Sequence, residues 1–410
     1  MSRKLLYAVC ALFFFTVTLI LTHEAAAVPA FARQTGMACN ACHFQHFPSL
    51  NAFGRAFKAD GYTMIGGESM IEGDLLSLPA TLNASLVTKI RYQDRNGDAE
   101  TDINKGVVQF PDEAGFLIGG RAGEHVGFLL EMSIIDGDAG NRFTSFKMPV
   151  VFRPYGTSVS VIPFTTDSLG AAYGFELLST GAVRNIRTIE HRRETSAQQY
   201  IGTDGSATGV ALAAYQPIWF ANYSAWAPVH GDNASGPYLN YLRGAVTPSI
   251  SDWNLGAGFQ IWNGTTKRID GGVVRESADA WALDAQAQGM AGRFPLGIYL
   301  TYANAAKSKA TDIPNMFNSS TYKDKTAWAI VGEFGVIPQR VTLAAAYRGA
   351  KNGDPNNDGK DADNATTLGV TYNPTQNLNL QLNHSWYTGS GKPNAATGDQ
   401  LTTLMLFAAF

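Results

Sequence analysis

The sequence predicts an all-β fold, a transmembrane antiparallel β-barrel, preceded by a small, mostly helical segment. Three observations carry the barrel: apolar and polar residues alternate along many segments, the connections between segments alternate between short and long, and the chain ends on an aromatic residue. From Leu82 to Tyr92 most even positions are apolar and most odd ones polar, and Asn377 to Trp386 repeats the pattern. Such segments bury one face only. Charged residues are 16% and glycines 42 of 410, which is low charge and high glycine for a soluble domain. Basic and acidic residues nearly balance, 31 against 34, with no basic patch, which argues against nucleic-acid binding. Beyond the N-terminus no apolar run reaches the ~20 residues of a membrane-spanning helix.

The connections set the strand count. Short turns fall near Gly123-Glu124-His125, Pro154-Tyr155-Gly156, Gln216-Pro217, Ser249-Ile250-Ser251, Ala291-Gly292-Arg293, Pro338-Gln339 and Pro374-Thr375-Gln376. Longer loops rich in Gly, Asp and Asn run from Arg95 to Asp112, His230 to Gly236, Lys307 to Lys323 and Lys351 to Asn364. Seven short turns, each joining two strands, with a first and a last strand, make sixteen. Thr165 to Ala207 is either one long loop or a further hairpin, which would make eighteen. Closure removes the strand edges that lipid does not tolerate. Trp219, Phe220, Trp226, Tyr238, Trp253, Trp262, Trp328 and Tyr387 lie near strand ends, as interfacial girdles or as packing. The closing run Leu404 to Phe410 suits the last strand of a bacterial outer-membrane barrel.

Residues 1–27 read as a secretory signal peptide. Arg3 and Lys4 precede a mostly apolar run, and Ala25-Ala26-Ala27 offers a small-residue cleavage site. Cys10 falls inside it, so the expected mature chain keeps two of the three cysteines.

Those two stand in Cys39-Asn40-Ala41-Cys42-His43, the attachment pattern of a c-type haem. Two thiols three positions apart can form thioethers to one macrocycle, and the adjacent His43 can ligate its iron from the proximal side. No second cysteine pair exists to complete a structural zinc site. One covalently attached haem is the expected cofactor, held by residues 28–78 ahead of a barrel over 79–410. Pro48 suits a first helical turn, and Leu50, Phe53, Ala56 and Phe57 then form an apolar stripe that Gly61 can terminate. Phe31, Phe44, Phe47, Phe53 and Phe57 are candidates to exclude water from the haem, and Arg33, Arg55 and Lys58 to meet its propionates. Met64, Met70, Met37 and His46 are the distal-ligand candidates, with His125, Met132 and Met148 if the haem enters the lumen. About 50 residues bury little surface alone, so the segment is expected to lean on the periplasmic mouth or sit in the lumen.

The chain resembles the fused monohaem cytochrome–porins of the bacterial outer membrane, whose best-known members belong to iron-oxidising bacteria. The resemblance rests on Pro29 to Met37, on Cys39 to His43, on Phe47 to Arg55, and on Phe57-Lys58 and Gly61-Tyr62. It implies an electron conduit between an extracellular redox donor or acceptor, ferrous iron among the donors, and a soluble periplasmic cytochrome or other carrier. His43 would be the proximal ligand, and Cys39 and Cys42 the thioether anchors. Donor, direction of flow and oligomeric state stay open. The other readings of the same residues are a porin for small solutes or ions with the haem segment as plug or redox sensor, and an outer-membrane haem enzyme, although no acid–base pair stands out. Acidic clusters at Asp94 to Asp102 and Asp354 to Asp363 could attract ferrous ions or bind calcium, but their composition is first of all that of solvated loops.

Overall fold

Sixteen antiparallel strands close into a barrel. The structure is a computed structural model that describes residues 29–74, 76–135, 143–190, 196–231, 234–269, 273–309 and 312–410. The expected signal peptide, Cys10 included, lies outside the described residues. The first eight strands are β1 (Ala84–Arg95), β2 (Val107–Arg121), β3 (Gly127–Ser133), β4 (Phe143–Lys147, resumed as Val150–Phe152), β5 (Ser158–Thr166), β6 (Ala207–Gln216), β7 (Trp219–Ala227) and β8 (Leu239–Val246, resumed as Ser249–Ile250). The rest are β9 (Trp253–Ile269), β10 (Val273–Ala291), β11 (Phe294–Ala305), β12 (Lys325–Ile337), β13 (Val341–Asn352), β14 (Asn364–Thr375), β15 (Leu378–Thr388) and β16 (Gln400–Ala409). The breaks in β4 and β8 fall at Pro149 and Pro248, which bring no N–H to a ladder.

β16 pairs with β1, from Leu401 opposite Arg95 to Ala409 opposite Val87, and closes the ring. Main-chain bonds between Leu86 and Phe410, 2.6 and 2.9 Å, carry the closure to the last residue. Alternation then sorts the side chains. Val159, Val161, Val210, Leu212, Leu283 and Leu343 point outward and are exposed, whereas Ser160, Gln260, Gln286, Gln381 and Ser385 point inward and are buried. This is the reverse of a soluble protein and suits a lipid exterior. The aromatic residues divide the same way: Trp328 and Tyr238 are exposed, while Phe220, Trp226, Trp262 and Tyr387 pack inside. Among the described residues no helix is long and apolar enough to cross a membrane.

All seven short turns occur where the alternation puts them. The loop expected from Arg95 to Asp112 is shorter, because Val107 and Val108 pair with Gln93 and Tyr92 and extend β2. Among the described residues between Thr165 and Ala207 there is no further barrel hairpin, so the count is sixteen and not eighteen. This connection folds into the lumen, with single turns at Ala171–Tyr173 and Arg187–Ile189 and a short helix at Ala197–Ile201. Its Phe175, Leu177, Ile186, Ile189 and Ile201 are fully buried. The wall holds its main chain from several sides: Asn222 of β7 donates to the Phe175 carbonyl at 3.2 Å, Thr301 of β11 to Thr180 at 2.9 Å, and Asn383 of β15 to Glu190 at 2.9 Å. Arg243 of β8 bridges its Glu176, at 2.9 Å, to Asp284 of β10, at 2.5 Å, with all three side chains buried.

The N-terminal segment sits at the short-turn end. It comprises α1 (Ala30–Thr35), α2 (Cys39–Cys42), α3 (Ala52–Ala59) and a small hairpin, Met70–Gly73 with Leu76–Pro79. Pro48 is not in the first turn of α3, because the helix starts later: Asn51 is the cap, its side chain accepting from the Gly54 N–H at 2.9 Å. Gly61 follows the helix in the left-handed region, φ +66°, as a terminating glycine does. Asn40 Nδ2 donates to Gln339 at 2.7 Å, and its main-chain N–H to Gln376 at 3.2 Å; both partners lie on short turns. Arg153 pairs with Asp60 at 3.2 Å.

Replacing Arg243 by Gln leaves Glu176 and Asp284 buried without their cation, a loss of about 3–5 kcal/mol. The expected outcome is a barrel that still shifts on heating in a gel, yet is cut by protease between 167 and 206. Unchanged protection would mean that the bridge does not hold the inserted segment.

Candidate haem site

The five-residue motif is held in place by its own main chain. α2 sets Cys39 and Cys42 one helical turn apart, hence on one face, and both are free thiols. The Cys42 carbonyl accepts from the Asn51 N–H at 3.0 Å, and Phe44 N–H donates to the Ser49 carbonyl at 2.9 Å. Asn51 Nδ2 donates to the Ala41 carbonyl at 2.9 Å, so the cap of α3 also holds α2. Contact here is close enough to require glycine: a Cβ on Gly54 would lie 2.1 Å from the Cys42 oxygen.

His43 Nδ1 donates to the Ser49 carbonyl at 3.2 Å. A carbonyl partner fixes the tautomer and leaves the Nε2 lone pair free for a metal. Burial, the main influence, pulls the His43 imidazole down to about 4, although the Ser49 contact opposes it. The ring is therefore neutral near pH 7, as ligation requires. Burial likewise raises both cysteine thiols.

Cys39, Cys42 and His43 share one cavity of about 280 Å³, close to the lower end of small-ligand sites, about 300–1,000 Å³. Three parts of the chain enclose it. The N-terminal segment contributes Phe31, Phe57 and Tyr62, with Phe31 stacked on Tyr62 at 4.7 Å and edge-on to Phe57 at 5.3 Å. The barrel wall contributes Val87, Leu117, Leu129 and Phe407, and the inserted segment Leu169, Tyr173 and Arg187. A second space of about 230 Å³ shares Val87, Glu113, Leu117, Glu131, Leu169 and Arg184 with it. Apolar faces, two thiols and a neutral imidazole fit a haem.

Of the aromatic candidates, Phe31, Phe47 and Phe57 line the cavity. Phe44 is not among its lining residues, and neither is Phe53, which is exposed. Among the basic candidates Lys58 lines it, but Arg33 is engaged by the Ala84 carbonyl and Arg55 by Gln288 at 3.4 Å. Met37 alone of the distal candidates lines the cavity. His46 has both ring nitrogens taken, Nε2 by Glu333 of β12 at 2.7 Å and Nδ1 by the Phe47 carbonyl at 3.1 Å. Met64, Met70, His125, Met132 and Met148 lie outside the lining. Sequence reasoning missed Arg184, Arg187 and Phe407, since nothing local says which connection turns inward. Among the described residues no group of three or more His, Cys, Asp or Glu is arranged to hold a bare metal ion.

Neither a protein-family model nor a curated protein sequence matches the chain. Solved structures do. A loop L8 deletion mutant of OmpT, an outer membrane protein of Vibrio cholerae, is 12% identical over 80% of this chain and 99% of its own, with a TM-score of 0.51. The outer membrane channel DcaP of Acinetobacter baumannii is 11% identical over 80% and 97%, with a TM-score of 0.50. OmpF of Salmonella typhi, solved with daunomycin, is 13% identical over 83% and 100%, also with a TM-score of 0.50. The fold is thus that of outer-membrane, porin-like β-barrels.

Acid should loosen the inserted segment where it meets the cavity. Burial alone would raise the Glu190 carboxyl, but Arg187 and Arg184 outweigh it and hold the group at about 2, below the ordinary 4.5. A depressed carboxyl contributes stability that is full above pH 4.5 and is lost as pH falls toward 2. The protection of amides 184–190, relative to their intrinsic exchange rate at each pH, should therefore hold from neutral pH to about 5, then fall below 4.5. No loss of protection before the whole barrel opens would contradict the pairing.

Proposed function

We propose that the chain is an outer-membrane electron-transfer protein in which a porin-like barrel sheathes one covalently attached haem. One observation carries the reading: both thiols and the neutral imidazole of the Cys39 to His43 motif face a single cavity bounded by the lumen wall. Cys39 and Cys42 would each add S–H across a vinyl group, sulfur to one carbon and hydrogen to the other, with no net oxidation. His43 would offer Nε2 to the iron while Ser49 orients the ring. The bound group would supply reversible one-electron exchange. Phe31, Phe57 and Tyr62 would keep water from it. A membrane core of ~30 Å is wide for one tunnelling step, and a site inside the lumen shortens the remaining gap. Short turns face the periplasm in outer-membrane barrels, so the segment would meet a soluble periplasmic carrier there, with an extracellular redox partner at the other mouth.

A second reading is a channel for small solutes or ions with the haem segment as plug or redox sensor. It is favoured by the fold shared with a protein described as an outer membrane channel, and by an inner wall rich in buried polar side chains such as Gln260, Gln286 and Gln288.

Liposomes separate the two. Purified protein is inserted into vesicles enclosing a redox dye, and a reductant that cannot cross is added outside. The expected result is dye reduction that needs His43, is abolished in His43→Ala, and occurs in vesicles tight to small sugars. Free sugar passage without haem-dependent reduction would sink the conduit and leave the channel. Haem staining should be lost when Cys39 and Cys42 are both replaced by Ala.

A further inference from the structure

The cavity lining carries more cations than carboxylates, two of the cations from the inserted segment. It includes four cations, Lys58, Lys147, Arg184 and Arg187, against two carboxylates, Glu113 and Glu131. Arg187 is fully buried, 1% exposed. It faces Glu190 at 3.0 Å, yet none of its three guanidinium nitrogens makes an aligned hydrogen bond to the described residues. Its guanidinium lies over Phe407 at 4.5 Å and Phe47 at 5.5 Å, and Phe47 in turn meets the His43 ring edge-on at 5.3 Å. Arg184 stands beside the same Glu190, at 3.6 Å, and lines the cavity too. A buried arginine with idle donors, one aromatic ring from the ligating imidazole, is placed to receive a planar anion with two acceptor oxygens.

We propose that Arg187 and Arg184 receive the two porphyrin carboxylates, so that the inserted segment completes the haem site across the lumen from the cysteines. This rests on the haem reading above. Glu190 offsets one of the two arginine charges, and the lining still presents more cations than acids to a dianionic group. Such a contact also gives the inward fold of residues 167–206 a role beyond filling space. Of the three positions that the sequence suggests for this task, Arg33 and Arg55 are engaged elsewhere, and Lys58 lines the cavity.

The test uses full-length holoprotein, as wild type, Arg187→Gln, Arg187→Lys and Arg184→Gln. Haem per chain, the midpoint potential against pH, and the propionate bending bands in resonance Raman spectra are measured. Covalent haem should persist in Arg187→Gln, because the thioethers do not depend on it. Its potential should fall, since a positive charge beside the reduced haem is gone. That potential should also become more pH-dependent as the uncompensated carboxylates take up protons, and the propionate bands should shift. Arg187→Lys should keep the wild-type potential more nearly. Should Arg187→Gln not assemble, Arg184→Gln must show a smaller shift of the same sign. Added succinate should leave the wild-type potential unchanged; a shift would mean that the arginines are open to free anions, and would overturn the assignment. Wild-type potential, pH profile and bands in both Gln variants would overturn it as well. Wild type without haem would be a different failure, that of the proposed function itself.

Discussion

Pairing of the first barrel strand with the last leaves no free strand edge in the membrane, and the interior is organised around that closure. Lipid cannot hydrogen-bond a free N–H or C=O, so the ladder must run unbroken around the ring. Alternation along each strand then commits half the side chains to an enclosed space. Sixteen strands enclose more volume than their own side chains fill. Two parts of the chain occupy it, the N-terminal segment at the short-turn end and the connection between β5 and β6, which enters from the long-loop end. The cavity at the Cys39 to His43 motif exists because both meet there against the wall.

What fixes these parts is both apolar and polar. Phe175, Leu177 and Ile201 of the inserted segment join one buried apolar cluster with Phe220, Trp226 and Trp262 of the wall, and the wall also offers Gln, Asn, Thr and charged groups. Arg243 bridges Glu176 and Asp284; His46 meets Glu333, which also accepts from Tyr299 at 2.5 Å. Thr371 of β14 donates to Thr188 at 3.0 Å. Bonds of this kind are directional, so they set a register for the inserted pieces that apolar contact would leave loose. The site inherits that register. Cys39, Cys42 and His43 are aligned by residues 49–51, and the Leu50 N–H donates to Ser179 Oγ of the inserted segment at 3.3 Å.

The parts legible in the sequence are those with a local physical cause. Period-2 runs and seven short turns give the barrel and its strand number, because alternation and turn chemistry act over a few residues. The Cys39 to His43 pattern is local for the same reason. One local choice is not legible: the helix starts at Asn51 and not Pro48, because the Asn51 side chain caps the Gly54 N–H. The other differences arise where the outcome depends on distant partners. Val107 and Val108 read as loop until β1 offered them a register. The stretch from Thr165 to Ala207 could be read as loop or hairpin, since its contacts lie on strands up to two hundred residues away. Nothing local marks its Arg184 and Arg187 for the site, and Arg33, Phe44, Phe53 and Arg55 lie outside the cavity lining.

The central claim is that the barrel carries one haem bonded to this motif, and mass spectrometry of protein exported in cells able to mature c-type cytochromes tests it most directly. The account predicts an intact mass raised by one haem, with the added mass confined to the peptide holding Cys39 and Cys42. An unmodified mass, with both thiols open to alkylation in a properly inserted barrel, would contradict it.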